Sequence, residues 1–219
     1  YEQFLGKVIR LTAGNRAVVE DKPEVKKAGG VFYTPAYIVQ YIVQHTVGQL
    51  LEGKNSKQAT GITILDPACG SGSFLIGAYQ YLLDWYLARY VAEGAEKYGK
   101  GKAARVRPSS ISGEWQLTTS EKKRILLDHI YGVDIDAQAV EVTKLSLLLK
   151  VLEGESGESL NSQMKLFHER VLPDLDRNIQ CGNSLIGPDF YDSQLDLDTE
   201  IAQRINAFDW HTAFPQVFQ

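Results

Sequence analysis

Three short apolar runs in this chain each end on a residue able to hold a ligand. Asp66 follows Ile62-Thr63-Ile64-Leu65, Asp134 follows Ile130-Tyr131-Gly132-Val133, and Asn183 follows Ile179-Gln180-Cys181-Gly182. Each is succeeded by a turn. The first turn, Asp66-Pro67-Ala68-Cys69-Gly70-Ser71-Gly72, is led by a carboxylate and opens a helical pattern. Its glycines let a ligand come close to the backbone. The helix start beyond it offers amide hydrogens to an anion. A dinucleotide fingerprint would need a third glycine at 75, where leucine stands, and the Gly-Lys-Ser/Thr of a triphosphate loop is absent. Such a turn suits a ligand with a charged amino-acid end, its ammonium on Asp66 and its carboxylate on the helix start.

Asp134 has the logic of a ribose acceptor, because a carboxylate at a strand tip can take both hydroxyls. Asp136 is the better placed helix cap and leaves Asp134 for a ligand, while Ile135 between them offers an apolar wall to an adenine ring. Asn183, with Ser184 beside it, can bond the adenine amine. Each residue also has a plainer role: Asp66 and Asn183 as turn-capping groups, and Thr34 before Pro35 as a helix cap.

The elements that must position these residues follow from periodicity. Residues 1–13 predict a short amphipathic helix, and a Lys-rich linker runs to 28. A helix is expected from Pro35 to Leu51, with Thr34 as its cap and Val39, Val43 and Val47 on one stripe beside Ile42 and Leu50. Strands are expected over 62–66, 130–134 and 178–183. The helices between them are expected from Phe74 to Val91, over 119–128, and after Asp136 with Val142, Leu145, Leu149 and Leu152 stepping along one face. Residues 94–113, with Lys97, Lys100, Lys102, Arg105 and Arg107, read as a basic, mobile inserted surface loop, first as a solvated insertion and alternatively as a contact to DNA phosphates. Strand–helix alternation implies an α/β fold, a partial parallel sheet with flanking helices, whose ligands bind beyond the carboxyl ends of the strands.

Taken together, four stretches resemble the adenine-N6 DNA methyltransferases, and most of all those in bifunctional restriction–modification enzymes. They are Gly29-Gly30-Val31-Phe32-Tyr33-Thr34-Pro35, Asp66 through Gly72, Gly132-Val133-Asp134-Ile135-Asp136 and Cys181-Gly182-Asn183-Ser184-Leu185. The resemblance covers roughly 29–187, with 188–219 as a tail. It implies a Rossmann-like fold and S-adenosylmethionine as cofactor. Tyr33, Thr34, Asp66, Ala68 and Gly70 would meet the methionine part, Asp134 the ribose, and Ile135, Asn183 and Ser184 the adenine. It also implies double-stranded DNA as the partner of a longer protein. In this family the target adenine is flipped onto an Asn/Asp-Pro-Pro-Tyr/Phe motif; no Pro-Pro occurs here, so no residue is assigned a catalytic role. The tail from Asp209 to Phe218 resembles the segment just before that motif. On this reading the chain is a fragment that transfers no methyl group by itself, and the edge of its 62–66 strand invites dimerisation. A non-catalytic module for the same cofactor, or a methyltransferase acting on RNA or protein, are the alternatives.

Composition is compatible with this reading. With 219 residues, 44% of them hydrophobic, the chain can build one substantial core, and its net charge of −4 argues against a large nucleic-acid footprint on this part. Two cysteines make no disulfide framework and fit a reducing cytoplasm. Four scattered histidines show no metal-ligand spacing, and no apolar run approaches the roughly 20 residues of a membrane span.

Overall fold

The computed structural model describes residues 7–11, 17–21, 34–101, 103–109, 113–155, 172–191 and 205–218. Its centre is a parallel three-stranded sheet in the order β3 (Ile64–Asp66), β6 (Ile130–Asp134), β7 (Ile179–Cys181). Asp66 pairs with Gly132 and Asp134 with Cys181, so all three strands run toward the same edge. This is the expected α/β arrangement.

Alternation along β6 assigns the two faces. Ile130 joins Ile64 and Ile179 in the main core, facing α1 (Ala36–Leu51), α2 (Ser73–Ala92), α4 (Thr119–His129) and α5 (Ala137–Leu152). Tyr131 and Val133 look the other way and are covered by Phe208 and Phe214 of the tail, with Trp210 against them. A short helix, α6 (Trp210–Ala213), carries this aromatic lid, and Gln180 Nε2 donates to the Ala213 carbonyl. Gly132 faces α2, and a Cβ there would lie 2.6 Å from Leu75 Cδ1, so glycine lets Leu75 pack straight against the strand.

The aromatic-rich helix α2 buries Tyr79, Tyr86 and Tyr90 completely, each worth about 1.5–3 kcal/mol of apolar burial provided its hydroxyl finds a partner. All three do. Tyr79 donates to the Lys122 carbonyl, Tyr90 donates to Glu121 at 2.5 Å, and Tyr86 lies 3.0 Å from His129 Nε2. His129 Nδ1 faces the Ile62 carbonyl, which can only accept, so Nδ1 carries the proton and Nε2 accepts from Tyr86. Burial holds this imidazole below its ordinary range, and it stays neutral.

Several expectations are corrected. Residues 7–11 and 17–21 form an antiparallel pair, β1 (Lys7–Leu11) and β2 (Ala17–Asp21), in place of an N-terminal helix. Val8 stands in register with Glu20 and Ile9 with Val19. Such β-branched residues favour extended backbone, which outweighs a weak helical stripe. Helix α1 starts one residue later than expected: Pro35 is the cap position, and no side chain bonds there. On α5 the buried stripe is Ala139, Val140, Thr143, Leu147 and Val151, while Leu145 and Leu149 are exposed. Both stripes have helical spacing, and spacing alone does not choose between them.

The 94–113 insertion, in its described residues, is a helical turn, α3 (Ala95–Tyr98), and a hairpin of β4 (Val106–Pro108) with β5 (Trp115–Leu117). Among its described cations Arg105 and Arg107 turn inward, while Lys97 and Lys100 are exposed; Lys102 lies outside the described residues. Arg105 donates to Tyr90 Oη and stacks over the Tyr90 and Tyr98 rings. Arg107 Nη2 donates to both oxygens of Glu155, whose side chain is buried, at 2.7 and 2.8 Å. The 153–163 loop is described only to 155.

Candidate functional site

The strand tips meet. Because β6 lies between β3 and β7, the turns after Asp66, Asp134 and Cys181 stand side by side at one sheet edge. The first turn leans on the second strand: Cys69 N–H donates to the Val133 carbonyl, and Gly70 N–H donates to Asp134 Oδ2 at 2.8 Å. Asp134 Oδ1 accepts from Asp136 N–H at 2.9 Å. Each carboxylate oxygen has a second lone pair, so both keep an acceptor position for a ligand. Gly182 N–H donates to the Asp134 carbonyl, joining the third tip to the second.

Asp66 Oδ1 accepts from Ala68 N–H at 3.1 Å. Burial raises the Asp66 carboxyl above its ordinary range; the Ala68 bond works against this, and the Asp134 carboxylate adds to it. Two mutually repelling acids at adjacent tips favour a cationic ligand. Cys69 is buried between them, its thiol pushed up to about 12 by burial, then by Asp66 and Asp134. It stays a thiol at neutral pH.

Gly70 and Gly72 both adopt left-handed φ, 54° and 84°. Gly72 is the cap position of the 20-residue α2 and delivers the start of that helix to the crevice. Thr34 and Ser73 line the same groove of about 410 Å³ between α1 and α2, although Thr34 does not cap α1. Asp66 lines a neighbouring groove of about 290 Å³ beside β3 and Phe74. Neither groove contains Asp134 or Asn183, so a ligand touching all three tips would lie across an open rim.

At the second tip Ile135 is 56% exposed, an apolar surface left facing outward. Asp136 caps α5 by accepting from Gln138 N–H, as its position predicts. At the third, Asn183 Oδ1 accepts from Leu185 N–H and its own N–H donates to the Asn206 carbonyl. The Ser184 carbonyl accepts from Trp210 Nε1. The tail therefore braces this tip, which its sequence did not suggest. Tyr33 lies outside the described residues.

Sequence reading missed Thr143. It is fully buried on α5, and its Oγ1 donates to the Gly70 carbonyl at 2.9 Å. The available signal was a hydroxyl at helical spacing from Val140 and Leu147. Among the described residues no cluster of His, Cys, Asp and Glu is placed to hold a metal ion, and no helix is long and apolar enough to cross a membrane.

Known proteins place this arrangement. The chain is 32% identical over 209 residues, 95% of its length, to the type II restriction enzyme and methyltransferase RM.Eco57I of Escherichia coli. It is 30% identical over 74% of its length to the type II restriction enzyme and methyltransferase RM.MjaORFECS2P of Methanocaldococcus jannaschii, whose assignment is itself provisional. Similarity at 26% identity over 81% of the chain extends to the adenine-specific methyltransferase PglX of Streptomyces coelicolor. The chain spans 19%, 15% and 12% of these relatives. The family model described as "MmeI, DNA-methyltransferase domain" matches residues 46–204, a stretch that takes in all three strand tips, and the chain belongs to that family.

Proposed function

We propose that this chain is the cofactor-holding part of a DNA methyltransferase acting on the N6 amine of adenine, with S-adenosylmethionine lying across the tips of β3, β6 and β7. The observation that carries the reading is the pair of acids, Asp66 and Asp134, on adjacent parallel strands, with the Gly70 turn bonded to the second of them. The residues fit the cofactor's chemistry. A ligand with an ammonium, a sulfonium and two vicinal hydroxyls matches two carboxylates whose mutual repulsion is relieved by positive charge. Its own carboxylate matches the start of α2.

In this reading Asp66 accepts from the ammonium, and Thr34 and Tyr33 flank the methionine end with Ala68 and Gly70. Asp134 offers its remaining lone pairs to the ribose hydroxyls. Ile135 supplies the face on which the adenine rests, and Asn183 with Ser184 meets its edge. When bound, the cofactor supplies an electrophilic methyl group. The 219 residues contain no Pro-Pro, so accepting and orienting the flipped target base is assigned to the longer protein, as are double-stranded DNA binding and any restriction activity. The chain by itself is assigned no methyl transfer.

Calorimetric titration of the 219-residue chain with S-adenosylmethionine tests the cofactor assignment. Binding of one equivalent, lost in Asp134→Ala, is expected. A chain that binds none at high micromolar cofactor sinks it. Adenine specificity is tested separately in the longer protein, by locating the methyl group in DNA after turnover.

A further inference from the structure

We propose that Thr143 is a positioning residue for the cofactor turn, an inference that rests on the cofactor reading above. The Gly70 residue is held from both sides by the second strand–helix unit. Its N–H donates to Asp134 Oδ2 at 2.8 Å, and its carbonyl accepts from Thr143 Oγ1 at 2.9 Å. Asp134 ends β6 and Thr143 sits two turns into the following helix, so one rigid strand–helix pair clamps the turn of another.

A second, independent contact involves the same side chain. A Cβ on Gly72 would lie 2.8 Å from Thr143 Cγ2 and 2.9 Å from its Oγ1. Thr143 thus fills the space beneath Gly72 while bonding Gly70. Its hydroxyl is fully buried. If that hydroxyl is lost, the Gly70 carbonyl keeps only the long contact from Cys69 Sγ among the described residues, and the peptide after it is held less firmly. That peptide leads into the start of α2, where the carboxylate of an amino-acid ligand is read. The tips of β6 and β7, assigned to the nucleoside half, make no bond to the Gly70 carbonyl among the described residues; Asp134 holds the Gly70 N–H, which belongs to the preceding peptide.

The role therefore predicts a selective defect. Thr143→Val keeps the shape and methyl groups but not the donor, whereas Thr143→Ser keeps the donor and loses the methyl. Calorimetry on the 219-residue chain, with S-adenosylmethionine and with adenosine as probes, reads the difference. Thr143→Val should weaken S-adenosylmethionine binding about tenfold and leave adenosine binding unchanged, and Thr143→Ser should restore the wild-type value. Thermal midpoints of both variants are read alongside, and a Thr143→Val chain that fails to fold leaves Thr143→Ser to decide. Should Thr143→Ser bind S-adenosylmethionine as weakly as Thr143→Val, keeping the donor would not preserve binding and the positioning role of the hydroxyl falls. Equal losses for both probes would likewise reduce Thr143 to general packing. Wild-type chain that binds neither probe would remove the cofactor reading itself, whereas wild-type binding untouched by Thr143→Val overturns the positioning role alone.

Discussion

The carboxylate of Asp134 sits 2.8 Å from the amide nitrogen of Gly70, a residue 64 positions earlier in the chain. The group assigned to the ribose is thus also the latch that holds the first turn against the second strand. Removing it should do two things together. Asp134→Ala leaves two backbone donors, Gly70 N–H and Asp136 N–H, without their acceptor, at a stability cost of about 2 kcal/mol. Cofactor binding should vanish in the same variant. Asp134→Asn keeps one carbonyl oxygen and should lose about half as much stability. Urea unfolding with parallel calorimetry checks both, and a variant that loses binding at full stability would separate the ribose role from the latch.

Asp66 should oppose stability while serving binding. Its folded carboxyl is raised above the ordinary value of 3.8, so the folded state takes up a proton more readily than the unfolded chain. Stability is then highest below the unfolded value and falls as pH rises toward the folded one. Asp66→Asn should raise the thermal midpoint at pH 7, lose that advantage in acid below the unfolded value, and weaken S-adenosylmethionine binding at every pH above the carboxylate range. A midpoint difference that does not change with pH would contradict the sign.

The cations of the 94–113 insertion should divide into two classes. Arg107→Ala strips the buried Glu155 side chain of its guanidinium partner, leaving it the Thr119 hydroxyl, and should cost about 3 kcal/mol. Lys97→Gln with Lys100→Gln, at exposed positions, should cost less than about 0.5 kcal/mol. Urea midpoints distinguish them. If the insertion also touches DNA in the longer protein, only the lysine variants report it cleanly, through a shallower salt dependence of binding.

How far the site was legible follows from where its information lies. Asp66 and Asp134 could be read because a carboxylate that ends an apolar strand and opens a turn carries its own local signal, and the tips then had to share an edge once the strands were parallel. Asp136 as the α5 cap was legible for the same local reason. The buried face of α5 was not: Val142, Leu145 and Leu149 are as apolar and as regularly spaced as Val140, Leu147 and Val151, and only the position of the sheet selects among them. Thr143 was hidden with that face. The tail's contribution was hidden too, since the bond from Asn183 N–H to the Asn206 carbonyl and the packing of Phe208 on Val133 are long-range. The pairing of 7–11 with 17–21 depended on a partner strand that a single-segment reading does not consider.

The outer side of β3 should drive self-association. Among the described residues β3 pairs only with β6, and beside it a groove lined by Ile42, Val47, Leu65 and Phe74 adjoins the exposed Tyr41 and Ile38 of α1. Open strand edges next to apolar surface recruit further strands. The chain should sediment as a concentration-dependent mixture, and Ile42→Lys should shift it toward monomer. A monomer at all concentrations would remove the prediction.

Gly132 bears on how such a domain can diversify. With no side chain at mid-strand, Leu75 of α2 and Cys69 of the first turn pack straight onto β6, and a Cβ there would press on both of them. Flanking positions 131 and 133 can exchange one apolar side chain for another against the aromatic lid. Position 132 has less freedom, because any side chain there must displace Leu75 and Cys69 together and so reach the first turn.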